Sequence, residues 1–384
     1  MLRKNQYSRF LFVAVFMGLI GLNLSPFFVA STMDAPSARF GHVMVYDPQN
    51  SQIILFGGGG DNSQGALETT WLYSSQSQSW TALSNISSPE ARSNHRMVYN
   101  SISKKVILFG GKSLSTSYFI NDTWEFDPAT NEWSELHPAV SPSVRAAHGM
   151  YFDPVFNEIV LFGGAGPVTH DSETWIYNCT ANIWYQINPA THPEKRYGHS
   201  FVYDEELQVG VFFGGRYVDL MSDTWFFNRS SLTWAKQETS PKPIRRYHTG
   251  LVYNPSETTF IMFGGDNEET PGRSLDDTWI FNSSSSDWLE IEPSLSPPPR
   301  DRYALVFDLY LNRALLFGGY GSYSTLIGDF WLYDANTMTW SQGYTIESST
   351  VTNSLWILLF SLGSIVGVTH LIKILLRQNL QKTK

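Results

Sequence analysis

Cysteine is nearly absent: Cys179 is the only one in 384 residues, so no intramolecular disulfide can form. Stability must then come from packing alone. The local signatures of common catalytic sites are missing too. There is no Gly-x-Ser-x-Gly, no His-Glu-x-x-His and no His cluster with ligand-like spacing. The four glycines Gly57 to Gly60 follow an apolar strand and open no helix, so they do not form a phosphate-cradling loop. No cofactor or metal site is expected. Acidic residues are lacking at both ends of the chain, which hold 7 of the 26 Lys and Arg. The stretch between them carries 19 basic against 35 acidic residues, a net charge of −16. An acidic surface argues against nucleic acid or anionic lipid as partners.

What is present is a repeat. Double glycines begin at Gly57, Gly110, Gly163, Gly214, Gly264 and Gly318, a period of 50 to 54 residues. Eighteen residues before each stands an arginine: Arg39, Arg92, Arg145, Arg196, Arg246 and Arg300. A first Trp follows each pair, at 71, 124, 175, 225, 279 and 331, and a second comes nine residues later. Twelve of the 13 Trp are thus in register. Each copy reads as four short strands, rich in β-branched and aromatic residues and bounded by turn formers. One such sheet cannot bury both faces, but six arranged radially can, with the Trp side chains filling the wedges between them. The fold expected is all-β, a six-bladed propeller with four antiparallel strands per blade. Because each repeat runs from its first strand to its last, no strand exchange is expected at the closure, and side-chain packing between blades one and six should shut the ring.

The glycine pair after an apolar strand, the downstream Trp pair and the Arg-x-x-His opening (His42, His95, His148, His199) resemble the kelch repeat, also found in the propeller of galactose oxidase. The resemblance covers about residues 36–346 and implies the kelch-type propeller fold; it says little about chemistry. Oxidase chemistry does not carry over, because it would need a copper held by Tyr and His with a thioether-linked Cys, and Cys179 falls in a turn between the third and fourth strands. Other kelch-type propellers isomerise sialic acids with Arg, Glu and His of the rim, which keeps a carbohydrate-active enzyme as the alternative.

Outside the repeats, residues 1–30 place Arg3, Lys4 and Arg9 before an apolar stretch and read as a secretory signal peptide, with an uncleaved anchor as alternative. Residues 347–353 read as a linker. Ser354 to Ile372 is 19 residues without charge, expected to be a C-terminal transmembrane helix, and 373–384 a basic cytoplasmic tail. The chain is expected to be a single-pass protein of the plasma membrane or an endomembrane, with the propeller extracellular or luminal.

Length variation points to the recognition surface. All of it falls between the second Gly and the first Trp, where 12, 12, 10, 9, 13 and 11 residues intervene. In an up-and-down blade this B–C loop shares a rim with the D–A connection, and variable loops on a rigid scaffold are where recognition concentrates. Candidate ligand-binding residues are Asp61, Asn62, Tyr118, Phe119, His170, Arg216, Tyr217, Asp266, Glu268, Tyr320 and Tyr323. The six repeated Arg share that rim, and carboxylates two residues before the first Trp (Asp122, Glu173, Asp223, Asp277, Asp329, with Glu68 near in the first copy) would make structural Arg–carboxylate rungs. Asn85, Asn178, Asn228 and Asn282 lie in glycosylation sequons, the last three in C–D turns. The reading is a cell-surface, non-catalytic binding or adhesion module for a protein or glycan.

Overall fold

The computed structural model describes residues 35–60, 67–83, 87–167, 171–269 and 272–343. Within them six sheets follow one another, spanning 43–82, 96–136, 149–187, 200–237, 250–291 and 304–342. Each contains a four-stranded antiparallel meander built from one repeat, its strands A to D in chain order; in blade 2 the two-residue strand Arg92–Ser93 also pairs with the extended strand B. In blade 1 these are Val43–Asp47, Gln52–Phe56, Trp71–Ser74 and Ser79–Ala82. Strand B is buried almost throughout in every blade, as a strand sandwiched between neighbouring sheets must be. In blades 2 and 5 the B–C hairpin continues past the glycine pair, as Lys105–Ser113 with Phe119–Asp127 and Thr259–Asp266 with Ser274–Asn282, across a register shift at the glycines. These glycines must be glycines. Gly57 has φ 74°, and a Cβ there would stand 2.7 Å from the Arg92 carbonyl of the next blade.

The Trp wedges have a polar component. In blades 2 to 6 the second Trp donates its indole N–H to a Thr of the preceding blade: Trp133 to Thr70, Trp184 to Thr123, Trp234 to Thr174, Trp288 to Thr224 and Trp340 to Thr278, at 2.9–3.2 Å. At the junction of blades 6 and 1 the Thr is replaced by Phe330. Trp80 meets that ring at 6.4 Å and Phe317 at 5.8 Å instead.

Side-chain packing alone does not shut the ring, which corrects one expectation. The residues two after each repeated Arg bond to one another in a full circle of backbone hydrogen bonds. Gly41 N–H donates to Arg302, Arg302 to His248, His248 to Gly198, Gly198 to Ala147, Ala147 to Asn94, and Asn94 to Gly41, at 2.6–3.1 Å. The first-to-last junction carries the same bond as the other five, and Gly319 N–H adds a 2.8 Å bond to the Arg39 carbonyl. Blades 6 and 1 also share a core in which Met44, Leu55 and Tyr73 pack with Val306, Leu315 and Phe330.

A second correction concerns the fold class. The described residues are all-β, and no helix among them is long and apolar enough to cross a membrane, so the described architecture contains no transmembrane helix. The stretch on which it was read, 354–372, lies outside the described residues, as do 1–30, 347–353 and the tail.

Candidate functional site

The segment before strand A and the start of the B–C loop bridge each other within a blade, Phe40 with Gly59, Ala146 with Ala165, Tyr197 with Arg216 and Tyr247 with Asp266. The variable loops and the repeated Arg therefore do share one rim. The six Arg do not reach solvent; each is at most 1% exposed. All six donate Nη1 to the carbonyl of the first glycine of the pair in their own blade, at 2.9–3.2 Å. Arg92, Arg246 and Arg300 also grip Asp122, Asp277 and Asp329 at 2.5–2.6 Å, and Arg196 grips Asp223. Arg145 pairs with Glu173 at 2.8 Å and Asp171 at 3.3 Å. The same carboxylates accept the indole N–H of the first Trp, as from Trp124 to Asp122 at 2.8 Å. Blade 1 has Thr69 at that place, and Glu68 is exposed. Burial then lowers the pKa of Arg39 to about 10.

Of the loop candidates, the structure gathers those of blades 4 to 6. Glu268 pairs with Arg216 at 2.9 Å and with Arg273 at 2.6 Å, and Arg273 also reaches Asp266 at 3.2 Å. Arg273 donates to Tyr247 Oη at 3.2 Å, and the Tyr247 hydroxyl donates to Glu268 at 3.4 Å. In blade 6 Arg302 holds Asp301 at 2.8 Å and Ser274 donates to its other oxygen at 3.1 Å. Arg302 stands 6.0 Å from the Tyr247 ring and 5.8 Å from that of Tyr320, and Tyr320 stacks on Phe40 at 4.3 Å. A cavity of about 440 Å³ opens between these groups, walled by Asp266, Arg273, Asp301 and Arg302, with Tyr323 on its edge. The Tyr323 ring is 83% exposed, a large aromatic presented to solvent rather than to the core.

Burial pushes the Asp301 carboxyl up to about 6, although Arg302 pulls the other way. His248 is held well below the usual imidazole range by burial and by Arg302, Arg96 and Arg216, so the ring stays neutral.

Tyr118 lies apart, 75% exposed on the blade 2 loop, with Phe119 beneath Lys112 at 5.8 Å. Tyr217 lies under Lys195 at 4.2 Å, outside the cavity wall. Asp61, Asn62, His170 and Asn85 fall outside the described residues. In the C–D turns Asn178, Asn228 and Asn282 each accept a backbone N–H three residues on, at 2.8–3.1 Å; Asn178 also donates to Glu158 at 3.3 Å. Cys179 is half-buried, and burial pushes its thiol up to about 12, which keeps it protonated at neutral pH.

Sequence reasoning missed Arg273, Asp301, Arg302, Tyr247 and His248. One signal was available. His248 and Arg302 occupy the position two after the repeated Arg, which is Gly in blades 1 and 4. Its φ is positive in every blade, 53° at His248 and 52° at Arg302. A bulky side chain at a position that suits glycine costs about 1–2 kcal/mol, and such strain gathers at functional sites.

The repeat region matches the family model for the KLHDC2/KLHL20/DRC7 Kelch-repeats domain over residues 28–215 and 208–354. Mei4-dependent protein 6 of Schizosaccharomyces pombe is 27% identical over 212 residues, 50% of this chain and 30% of its own length. Kelch domain-containing protein 10 is 26% identical over 175 residues in Homo sapiens and in Bos taurus, 43% of this chain and 37% of theirs. The chain spans about a third of the length of these relatives. With Arg, glycine pair and Trp pair in register through six blades and the family model matched across them, the chain belongs to the kelch-repeat propellers.

Proposed function

We propose that the chain is a non-catalytic binding module that engages a protein partner through the B–C and D–A rim, centred on the cavity of blades 5 and 6. Kelch propellers generally bind proteins. One observation carries the choice of site: Arg273, Arg302, Asp266, Asp301 and the exposed Tyr323 wall one cavity beside the longest B–C loop, and Glu268 ties Arg273 to Arg216 of blade 4. Exposed aromatics and Arg anchor protein interfaces, and a self-paired charge cluster offers both donors and acceptors to an incoming chain. The six repeated Arg are internal braces, which leaves recognition to exposed arginines such as Arg216, Arg273, Arg302 and Arg245.

A glycan is the second reading, supported by the Tyr323 ring at the cavity edge, since sugar rings stack on such faces. A photoreactive residue at position 323, compared with one at Tyr310, tests the primary reading. Cross-links to one protein from 323 alone support it. A glycan-array signal that Tyr323→Ala abolishes, without any protein cross-link, replaces it with the second, and turnover of a sugar would point to the enzyme alternative. Export of the chain, and glycosylation at Asn228 and Asn282, remain part of the proposal; glycosidase treatment of the secreted chain would reveal them as a mass shift.

A further inference from the structure

A different asymmetry lies inside the ring. The residue four after each repeated Arg begins or immediately precedes strand A on the channel wall: Val43, Arg96, Gly149, Ser200, Gly250 and Ala304. Five are small or apolar, and blade 2 alone carries a cation. Five of the six, all but Gly149, line one cavity of about 160 Å³ in the centre of the propeller. The small residues opposite make room that a long side chain in each blade would fill.

Arg96 has no carboxylate partner among the described residues. Its one side-chain hydrogen bond there is a long one, 3.5 Å, to the carbonyl of His95. Its guanidinium nevertheless acts electrostatically on His95, His148, His199 and His248, imidazoles from four successive blades, which places it near the propeller axis. Arg96 retains some accessible surface only because it faces the lumen. Burial lowers its pKa to about 10, still far too high for it to be neutral. An unpaired cation in a confined site is costly unless an anion neutralises it.

We propose that the channel binds a small monovalent anion, of halide size, on the Arg96 guanidinium. Nothing in this rests on the rim being a recognition surface. The anion neutralises the charge that Arg96, without a carboxylate partner among the described residues, presents to the channel.

The test is thermal unfolding of the full chain in sodium chloride against sodium gluconate at equal ionic strength, gluconate being too large for the cavity. Chloride should raise Tm saturably, by about 3 °C at tenfold excess over its Kd. Arg96→Val, which installs the residue of blade 1 at the same position, should fold and lose that response. Independently of any variant, crystals of the wild-type chain in sodium bromide should show anomalous density in the channel against Arg96. Equal chloride responses in wild type and Arg96→Val, or bromide on the outer surface only (an adventitious ion), would overturn the site. Should the variant fail to fold, the bromide map decides alone.

Discussion

Thr69 stands where each of the other five blades has a carboxylate, and two groups feel its loss. Arg39 keeps only the Ser37 carbonyl and hydroxyl and the Gly57 carbonyl as acceptors, and the buried Trp71 indole N–H has no partner among the described residues. Elsewhere one carboxylate satisfies both, as Asp277 does for Arg246 and Trp279. Thr69→Asp should therefore stabilise the fold by about 1–2 kcal/mol, a charge-assisted pair plus a hydrogen bond, read as a higher denaturation midpoint. A second residue-scale prediction concerns the buried imidazoles. His42, His95, His148, His199 and His248 all have pKa values held well below 6.5, chiefly by burial. Their unfolded forms bind protons first, so the stability they contribute is present above about pH 6.5 and lost as pH falls below it. Asp301 works oppositely: with its folded pKa raised to about 6 from 3.8, it destabilises as pH rises through that window. Burial raises the Asp153 carboxyl as well, and five imidazoles against two carboxyls still make the net slope acid-labile. Tm should drop steeply between about pH 6.5 and 5, whereas a flat profile there would contradict the burial of these rings.

At the scale of the strand and the blade, the Trp–Thr bonds divide the junctions into two kinds. Thr123→Val removes the acceptor for Trp184 without changing shape and should cost about 1–2 kcal/mol, because a buried indole N–H is left unpaired. Phe330→Val, at the junction lacking such a bond, should cost by a different route, the cavity left under Trp80 and Tyr73. Comparing urea midpoints of the two variants separates polar from apolar closure. The strands themselves were legible in the sequence, because β-branched and aromatic runs such as Ile53 to Phe56 alternate with turn residues on a fixed period. The continuation of the B–C hairpins past Gly110 and Gly264 was not, since a glycine pair reads equally as a strand end or a bulge. Nor was the axial circle of hydrogen bonds. It joins residues about fifty apart through backbone atoms that carry no sequence signature, except the recurrence of Gly41, Gly198 and Asn94 at a positive-φ position.

For the whole molecule, sequence periodicity sufficed to number the blades and to assign the loops to a rim, because every copy keeps the same spacing. It could not say which loops meet. Asp266, Glu268 and Arg216 were visible as loop residues, but Glu268 meets Arg216 only because the ring sets blades 4 and 5 side by side, and Arg302 of blade 6 reaches the Tyr247 ring of blade 5 in the same way. The periodicity even worked against finding Arg96 and Arg302, since both are departures from the repeat rather than members of it. A ring closed by the same backbone bonds at all six junctions should unfold as one cooperative unit, in place of fraying from blades 1 and 6. Native-state hydrogen exchange reports this directly: the Gly41 and Arg302 amides should be protected as strongly as those of Ala147 and Gly198.

The rim of blades 4 to 6 is best tested by measuring partner affinity for the wild-type chain, for Arg273→Glu and Tyr323→Ala, and for Tyr310→Ala as control. Loss of about tenfold or more in the first two variants with Tyr310→Ala unchanged is the predicted result. Unchanged binding in both rim variants, or loss confined to Tyr310→Ala, would contradict it.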